Sequence, residues 1–189
     1  MNEGLSNQQL QSAFFDNEFG DPCLAIQPDG SIRFRALTRA DQPALWHWLH
    51  IALWDPPPAP VRPLEVLQHP GVSIYAEGWG RTSDVGVVAV VAGEDAGACW
   101  MRLLPLQVGL AYVDEATPQL GIALEPQFQR QGYGKPLMLR ALGAAAAAGY
   151  QQVALTVHPE NGARFMYQQC GFEFVALRGS YHLMVAKLA

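Results

Sequence analysis

The sequence predicts a single domain of mixed helices and strands, and three observations carry that reading. Half of the 189 residues are hydrophobic and only 15% are charged, the balance of a globular chain and not a disordered one. That length is within reach of one core. Short apolar runs alternate with stretches at helical spacing, punctuated by glycine and proline, with no internal repeat and no linker. Residues 1–30 read as an N-terminal extension packed on the domain, and residues 31–189 as the domain itself. Within the extension, residues 1–22 are polar with Phe14, Phe15 and Phe19, the composition of an arm or helix lying on the domain.

The elements follow in order. Leu24–Ile26 and Ile32–Arg35 flank Pro28-Asp29-Gly30, a hairpin turn. Thr38 caps a helix with Asp41 three residues on, and Leu45, Trp48, Leu49, Ala52 and Leu53 give it one apolar face. Pro56, Pro57 and Pro58 stop it. A short helical stretch runs from Pro63 to about Leu67 and breaks at Pro70-Gly71. Val85–Val91 and Ala98–Leu104 read as strands joined by Gly93 to Gly97, and Leu120–Leu124 as another. Pro136 to Ala148 is a long alanine-rich helix stopped by Gly149. Val153–Val157 is a buried strand. Gly162 to Cys170 is a helix capped by Asn161, with Ala163, Phe165, Met166 and Cys170 as its core candidates. Phe172–Leu177 and Tyr181–Leu188 close the chain as two strands.

Composition excludes several functions. No apolar run approaches the ~20 residues of a membrane span. No basic stretch before an apolar core marks a secretory signal. Cys23, Cys99 and Cys170 are scattered and odd in number, as expected of reduced, mostly buried thiols in a cytoplasmic protein. The net charge of −5 argues against general nucleic-acid binding.

The most informative stretch is Gln129-Arg130-Gln131-Gly132-Tyr133-Gly134-Lys135. Two glycines one residue apart at a strand-to-helix junction turn the backbone tightly and point N–H groups outward. With the positive end of a helix dipole behind them, those groups suit a phosphate or pyrophosphate. It is not a dinucleotide fingerprint, because Leu137 stands where a third glycine is needed, and it is not a Walker loop, because Lys135 is followed by Pro136.

This glycine motif, followed by helix, strand and then Asn161, Ala163, Tyr167, Gly171 and Phe172, resembles the GNAT superfamily of acyl-CoA-dependent N-acetyltransferases. The resemblance covers about residues 31–189 and is strongest over 119–173. It implies an α+β fold, an α/β/α sandwich with a mixed, mostly antiparallel sheet, helices on both faces and splayed fourth and fifth strands. It implies acetyl-CoA as cosubstrate, no metal, and transfer to a primary amine of a small molecule or peptide. Backbone groups of Ile122, Ala123 and Leu124 would hold the pantetheine arm. N–H groups around Gln129, Arg130, Gln131, Gly132, Tyr133, Gly134 and Lys135 would hold the pyrophosphate, and Asn161 would touch the arm from the other side. Tyr167 would return a proton to the leaving thiolate.

The general base is left open. Asp114, Glu115 and Glu160 are loop acids, Thr156 stands where some relatives carry a glutamate, and His158 ends a strand. His47 and His50 share a helix face but lack a third metal ligand. Trp54, Asp55 and Trp79 are candidates for the acceptor wall, although a helix seam explains the tryptophans equally well. Two other readings stand beside the enzyme: an inactive CoA-binding sensor or interaction domain, and a nucleotide-binding domain using the same glycine turn. Relatives by resemblance are often homodimers, through the terminal strands or the N-terminal extension.

Overall fold

The computed structural model describes residues 32–105 and 107–188. The extension and its hairpin with Leu24–Ile26 lie outside those residues. Seven strands form one sheet in the order β1-β2-β3-β4-β5-β7-β6. They are β1 (Arg33–Ala36), β2 (Val85–Val91), β3 (Glu94–Arg102), β4 (Gln119–Leu124), β5 (Gln152–Val157), β6 (Phe172–Arg178) and β7 (Tyr181–Lys187). All neighbours are antiparallel except β4 and β5.

The helices are α1 (Gln42–Ala52), the single turn α2 (Pro70–Ser73), α3 (Gly134–Ala147) and α4 (Ala163–Gln169). They cover both faces of the sheet. On one face α3 and α4 pack Leu137, Met138, Ala141 and Tyr167 against Val85, Val87, Cys99 and Leu155. On the other, α1 packs Leu45, Trp48 and Leu49 against Val88, Ala98 and Trp100. The period-2 alternation of β2 explains the split, since Val87 and Val88 point to opposite sides.

Several boundaries move, each for a physical reason. The turn between β2 and β3 is only Ala92-Gly93, with φ of 51° and 86°. Two successive positive φ values make a tight hairpin turn, so Glu94 to Gly97 join the strand instead of a loop. Thr38 and Asp41 form the reciprocal cap, but they cap the 3-10 turn Arg39–Asp41 that leads into α1. Pro70 opens α2 and does not merely end a helix, because the first turn tolerates its missing N–H. Phe165 is 54% exposed and is not a core residue; Arg164 lies over its ring at 4.2 Å.

One buried ion pair fixes the ground beside the site. Arg102 donates through Nε and Nη2 to Asp84 at 2.9 and 2.7 Å, and through Nη1 to Ile74 O and Glu77 O. Asp84 also accepts from the N–H groups of Gly80 and Arg81. Such a pair adds little net stability, but loss of one partner leaves a buried charge, at about 3–5 kcal/mol. Its effect here is positional: it anchors residues 74–84 to the end of β3, next to Tyr75.

Candidate active site

The site begins where β4 and β5 part. They pair at one register position, Gln119 with Ala154, and Ala154 N–H donates to Pro118 O at 3.1 Å. Beyond it the strands diverge around a cavity of about 530 Å³. Leu120, Gly121 and Ile122 of β4, Leu155 and Thr156 of β5 and Tyr167 of α4 line it, facing Leu49, Leu53 and Trp54 at the end of α1.

Strand alternation tells which backbone groups of β4 face the gap. Glu125 N–H donates to Ala96 O, and β4 pairs with β3 through Ala123 and Ala98. Odd-numbered residues therefore turn their N–H and C=O toward β3, and even-numbered ones toward β5. Ile122 and Leu124 face the gap. Ala123 does not, which removes it from the backbone set expected for a pantetheine arm. The Leu124 carbonyl is held by Gln129 Nε2 at 2.9 Å.

Gly121 has a separate task. A Cβ there would lie 2.5 Å from Cζ2 of Trp100, so glycine lets the indole lie flat beneath the strand. Trp100 is fully buried and forms part of the cavity floor.

The glycine turn has the conformation its composition requires. Arg130 has φ 58° and Gly132 φ 91°, and Gly134 opens α3. The loop from Gln129 to Gly132 is exposed, with Gln131 Nε2 bonded to Gln127 O. Tyr133 differs: its ring is 7% exposed and packs edge-on against Phe128 at 6.3 Å, leaving only its backbone for a ligand. Lys135 Nζ reaches Gln169 Oε1 at 3.5 Å, tying the start of α3 to α4. Exposed N–H groups, a helix start of fourteen residues behind them, and Arg130 and Lys135 beside them fit a pyrophosphate. Asn161 Oδ1 accepts from Ala163 N–H at 2.9 Å, serving the first N–H of α4, but the N-cap residue is Gly162 and not Asn161 as expected.

Tyr167 is 9% exposed, with Phe172 at 6.1 Å between ring centroids. Burial first, then the neighbouring Cys99 and Cys170 sulfurs, push its phenol well above the usual 10. It therefore stays protonated near neutral pH, as a donor must. Thr156 also lines the cavity and supplies no carboxylate.

Of the acceptor-wall candidates, Trp54 lines the cavity, and Asp55 stands behind it through Arg62. Trp79 does not. It is 1% exposed, donates to Leu37 O and carries Arg102 over its ring at 5.2 Å. His47 and His50 engage separate partners, Glu125 and Arg62 O.

The structure adds residues that sequence reasoning missed: Arg62, Tyr75, Gln107, Gln119 and Tyr181. Tyr75 Oη donates to Gln119 Oε1 at 2.9 Å, and Gln119 Nε2 donates to Val108 O at 2.6 Å. Burial pushes the Tyr75 hydroxyl up to about 12. This network holds Gln107, Gly109 and Leu110 at the cavity wall. The available signal was weak: a lone arginine in the proline-rich run 56–63, and a glutamine opening an apolar strand.

A splayed parallel strand pair, a glycine turn at a helix start and a buried phenol between them make up the arrangement that the GNAT resemblance implies. The comparisons agree. The model of the acetyltransferase (GNAT) family matches residues 45–172, and the chain belongs to that family. A [ribosomal protein bS18]-alanine N-acetyltransferase of Haemophilus influenzae is 37% identical over 70 residues, 37% of this chain and 47% of that protein. Its counterpart from Haemophilus ducreyi is 34% identical over 73 residues, 38% of this chain and 50% of that protein. The match thus spans about half the length of these relatives.

Solved structures share the fold. The GNAT domain of S. lividans PAT superposes with a TM-score of 0.60 at 15% identity, over 83% of this chain and 90% of that one. PaiA N-acetyltransferase from Thermoplasma acidophilum, in complex with coenzyme A, gives 0.57 at 18%, over 83% and 99%. Spermidine N-acetyltransferase from Vibrio cholerae, in complex with CoA and spermine, gives 0.56 at 17%, over 82% and 95%. No described helix is long and apolar enough to cross a membrane, and no cluster of potential metal ligands occurs among the described residues.

Proposed function

We propose that the protein transfers an acetyl group from acetyl-CoA directly to a primary amine of a small molecule or peptide. The observation that carries this is the placement of Tyr167, a buried, protonated phenol on the wall of the cavity between the parted strands. The backbone of Ile122 and Leu124 and the exposed turn from Gln129 to Gly132 fit the cosubstrate, with Lys135 and Asn161 flanking them. The cosubstrate supplies an activated acetyl thioester. The chain's own residues orient it, exclude water with Trp100, Leu155 and Trp54, and return a proton from Tyr167 Oη to the departing sulfur.

Among the described residues no cysteine lies on the cavity wall, which favours direct transfer over an acyl-cysteine intermediate. The buried free thiols Cys99 and Cys170 suit a reducing, cytoplasmic setting. Exposed Phe174, Val175 and Leu177 on the edge strand β6 offer a homodimer surface. The alternative is a CoA-binding domain without turnover.

Calorimetric titration with acetyl-CoA, with ATP and NAD as controls, tests the reading. Selective micromolar binding, followed by thiol release with an amine panel, is expected. Binding without release for any amine selects the sensor reading, and preference for ATP or NAD overturns both.

A further inference from the structure

The cavity that Tyr167 faces is poor in bases. Among the described residues its wall holds one charged side chain, Arg62, and three phenols, Tyr75, Tyr167 and Tyr181; no carboxylate, lysine or histidine lines it. Two titratable groups stand just behind that wall. Asp55 receives Arg62 Nε and Nη2 at 2.5 Å each, and those bonds, ahead of the opposing effect of burial, hold its carboxyl below the usual range. It is a weak base. His158 lies between Trp54 and Tyr181, with ring centroids 5.9 and 5.7 Å away. Its Nδ1 accepts the Glu160 N–H at 3.2 Å, so that lone pair is already engaged. Cys99 and Cys170, the thiols beside Tyr167, are both pushed up by burial and stay protonated.

The one ionic group on the wall is a donor. The Asp55 pair uses the Nε and Nη2 side of Arg62 and leaves the Nη1 side outside that pair. Tyr181 interacts with the same guanidinium and also lines the cavity. On a wall that also carries Leu49, Leu53, Val72, Leu110, Gln107 and Thr156, the guanidinium edge and the phenol form a site for an oxygen. A polyamine would find no carboxylate there.

We propose that the acceptor is an α-amino acyl group, an amine that reacts in its neutral form while Arg62 and Tyr181 hold the C=O oxygen on its adjacent carbon. This rests on the acetyl-transfer reading above. The proton balance favours it. The amine nitrogen bonds to the thioester carbonyl carbon, the C–S bond breaks, nitrogen loses one proton and sulfur gains one. Tyr167 gives its proton to sulfur and takes one from nitrogen, so a neutral amine needs no further base. An ammonium brings a second proton that no wall group among the described residues accepts. Near pH 7.5 a peptide α-amine (~8) has about 200-fold more neutral form than an alkyl amine (~10.4); the carboxylate of a free amino acid raises its amine, so the advantage is smaller there. The C=O belongs either to a free amino acid or to a peptide N-terminus.

The test measures acetyl-CoA-dependent thiol release from pH 6 to 10 with leucine, leucylglycine and 3-methylbutylamine, in the wild type, Arg62→Met and Tyr181→Phe. At pH 7.5 one or both α-amines should exceed 3-methylbutylamine by about 100-fold in kcat/KM. Leucine against leucylglycine decides the source of the oxygen. The acid limb should move with the pKa of each acceptor. Either variant should lower the preference for the C=O-bearing acceptor at least 10-fold, through KM, with acetyl-CoA affinity retained. Equal use of 3-methylbutylamine, one acid limb common to all acceptors, or an unchanged preference in both variants overturns the inference alone. Failure to bind acetyl-CoA overturns the underlying reading as well.

Discussion

Gln119 and Ala154 are the register pair that joins β4 to β5, and the active-site gap starts one residue past them. The same Gln119 side chain is spent on Tyr75 and Val108, so the residue that ends strand pairing also fixes the loop over the cavity. One buried amide, 1% exposed, couples the opening of the sheet to the shape of the pocket.

Tyr167→Phe removes the proton donor but keeps the ring that packs against Phe172. It is expected to lower kcat by about 10²-fold or more, the usual scale of general acid catalysis. The acetyl-CoA dissociation constant should stay within about twofold. Unaltered turnover would take Tyr167 out of the mechanism.

Gly121→Ala places a methyl group against the Trp100 ring, at 2.5 Å before relaxation. Overpacking of this kind costs about 2 kcal/mol, equivalent to about 4–8 °C in Tm for a domain of this size. A thermal melt checks it. A wild-type Tm would show that Trp100 has room to retreat.

Two glycine changes separate backbone strain from ligand space. Gly132 sits at φ 91°, so Gly132→Ala strains the turn at about 1–3 kcal/mol and weakens acetyl-CoA binding. A Cβ at Gly134 would lie 3.6 Å from Met166 Cε, ordinary contact, so the fold accommodates a side chain there. Gly134→Val should therefore keep the wild-type Tm and still lose at least about tenfold in acetyl-CoA affinity by calorimetry, through crowding of the helix start. Unchanged affinity in Gly134→Val would sink the pyrophosphate assignment.

Acid should weaken the junction between β1 and α1. Burial alone would raise the Asp41 carboxyl, but hydrogen bonds from Arg35 and Thr38 outweigh it and hold it below 3.8. A depressed folded pKa stabilises fully above the unfolded value, and that contribution disappears as pH falls through the folded one. Tm should therefore fall below about pH 4, and Asp41→Asn should flatten that limb. An identical acid limb in Asp41→Asn would assign the loss to other carboxylates.

Most of the fold was legible because its signals are local. Val85–Val91 is a strand by composition alone and was placed at its true ends. Thr38 with Asp41 is a cap, and Asn161 bonds to Ala163 at a helix start, with partners within three residues in both cases. The turn at Ala92-Gly93 was misread because an alanine at positive φ carries no warning in its identity.

The sequence by itself determined the family pattern, the glycine turn and Tyr167, because each depends on residue type at short, fixed spacing. Tertiary structure decided the cavity. Trp54 reaches the wall and Trp79 does not, although both are tryptophans near helix ends, because burial depends on what the sheet brings against them. The alternation that gives Ile122 and Leu124 to the gap and Ala123 to β3 required the register with β3. Tyr75 meets Gln119 across 44 residues of chain, and Arg62 meets Tyr181 across 119. Contacts at that range leave no periodicity in the sequence, so only the folded sheet reveals them.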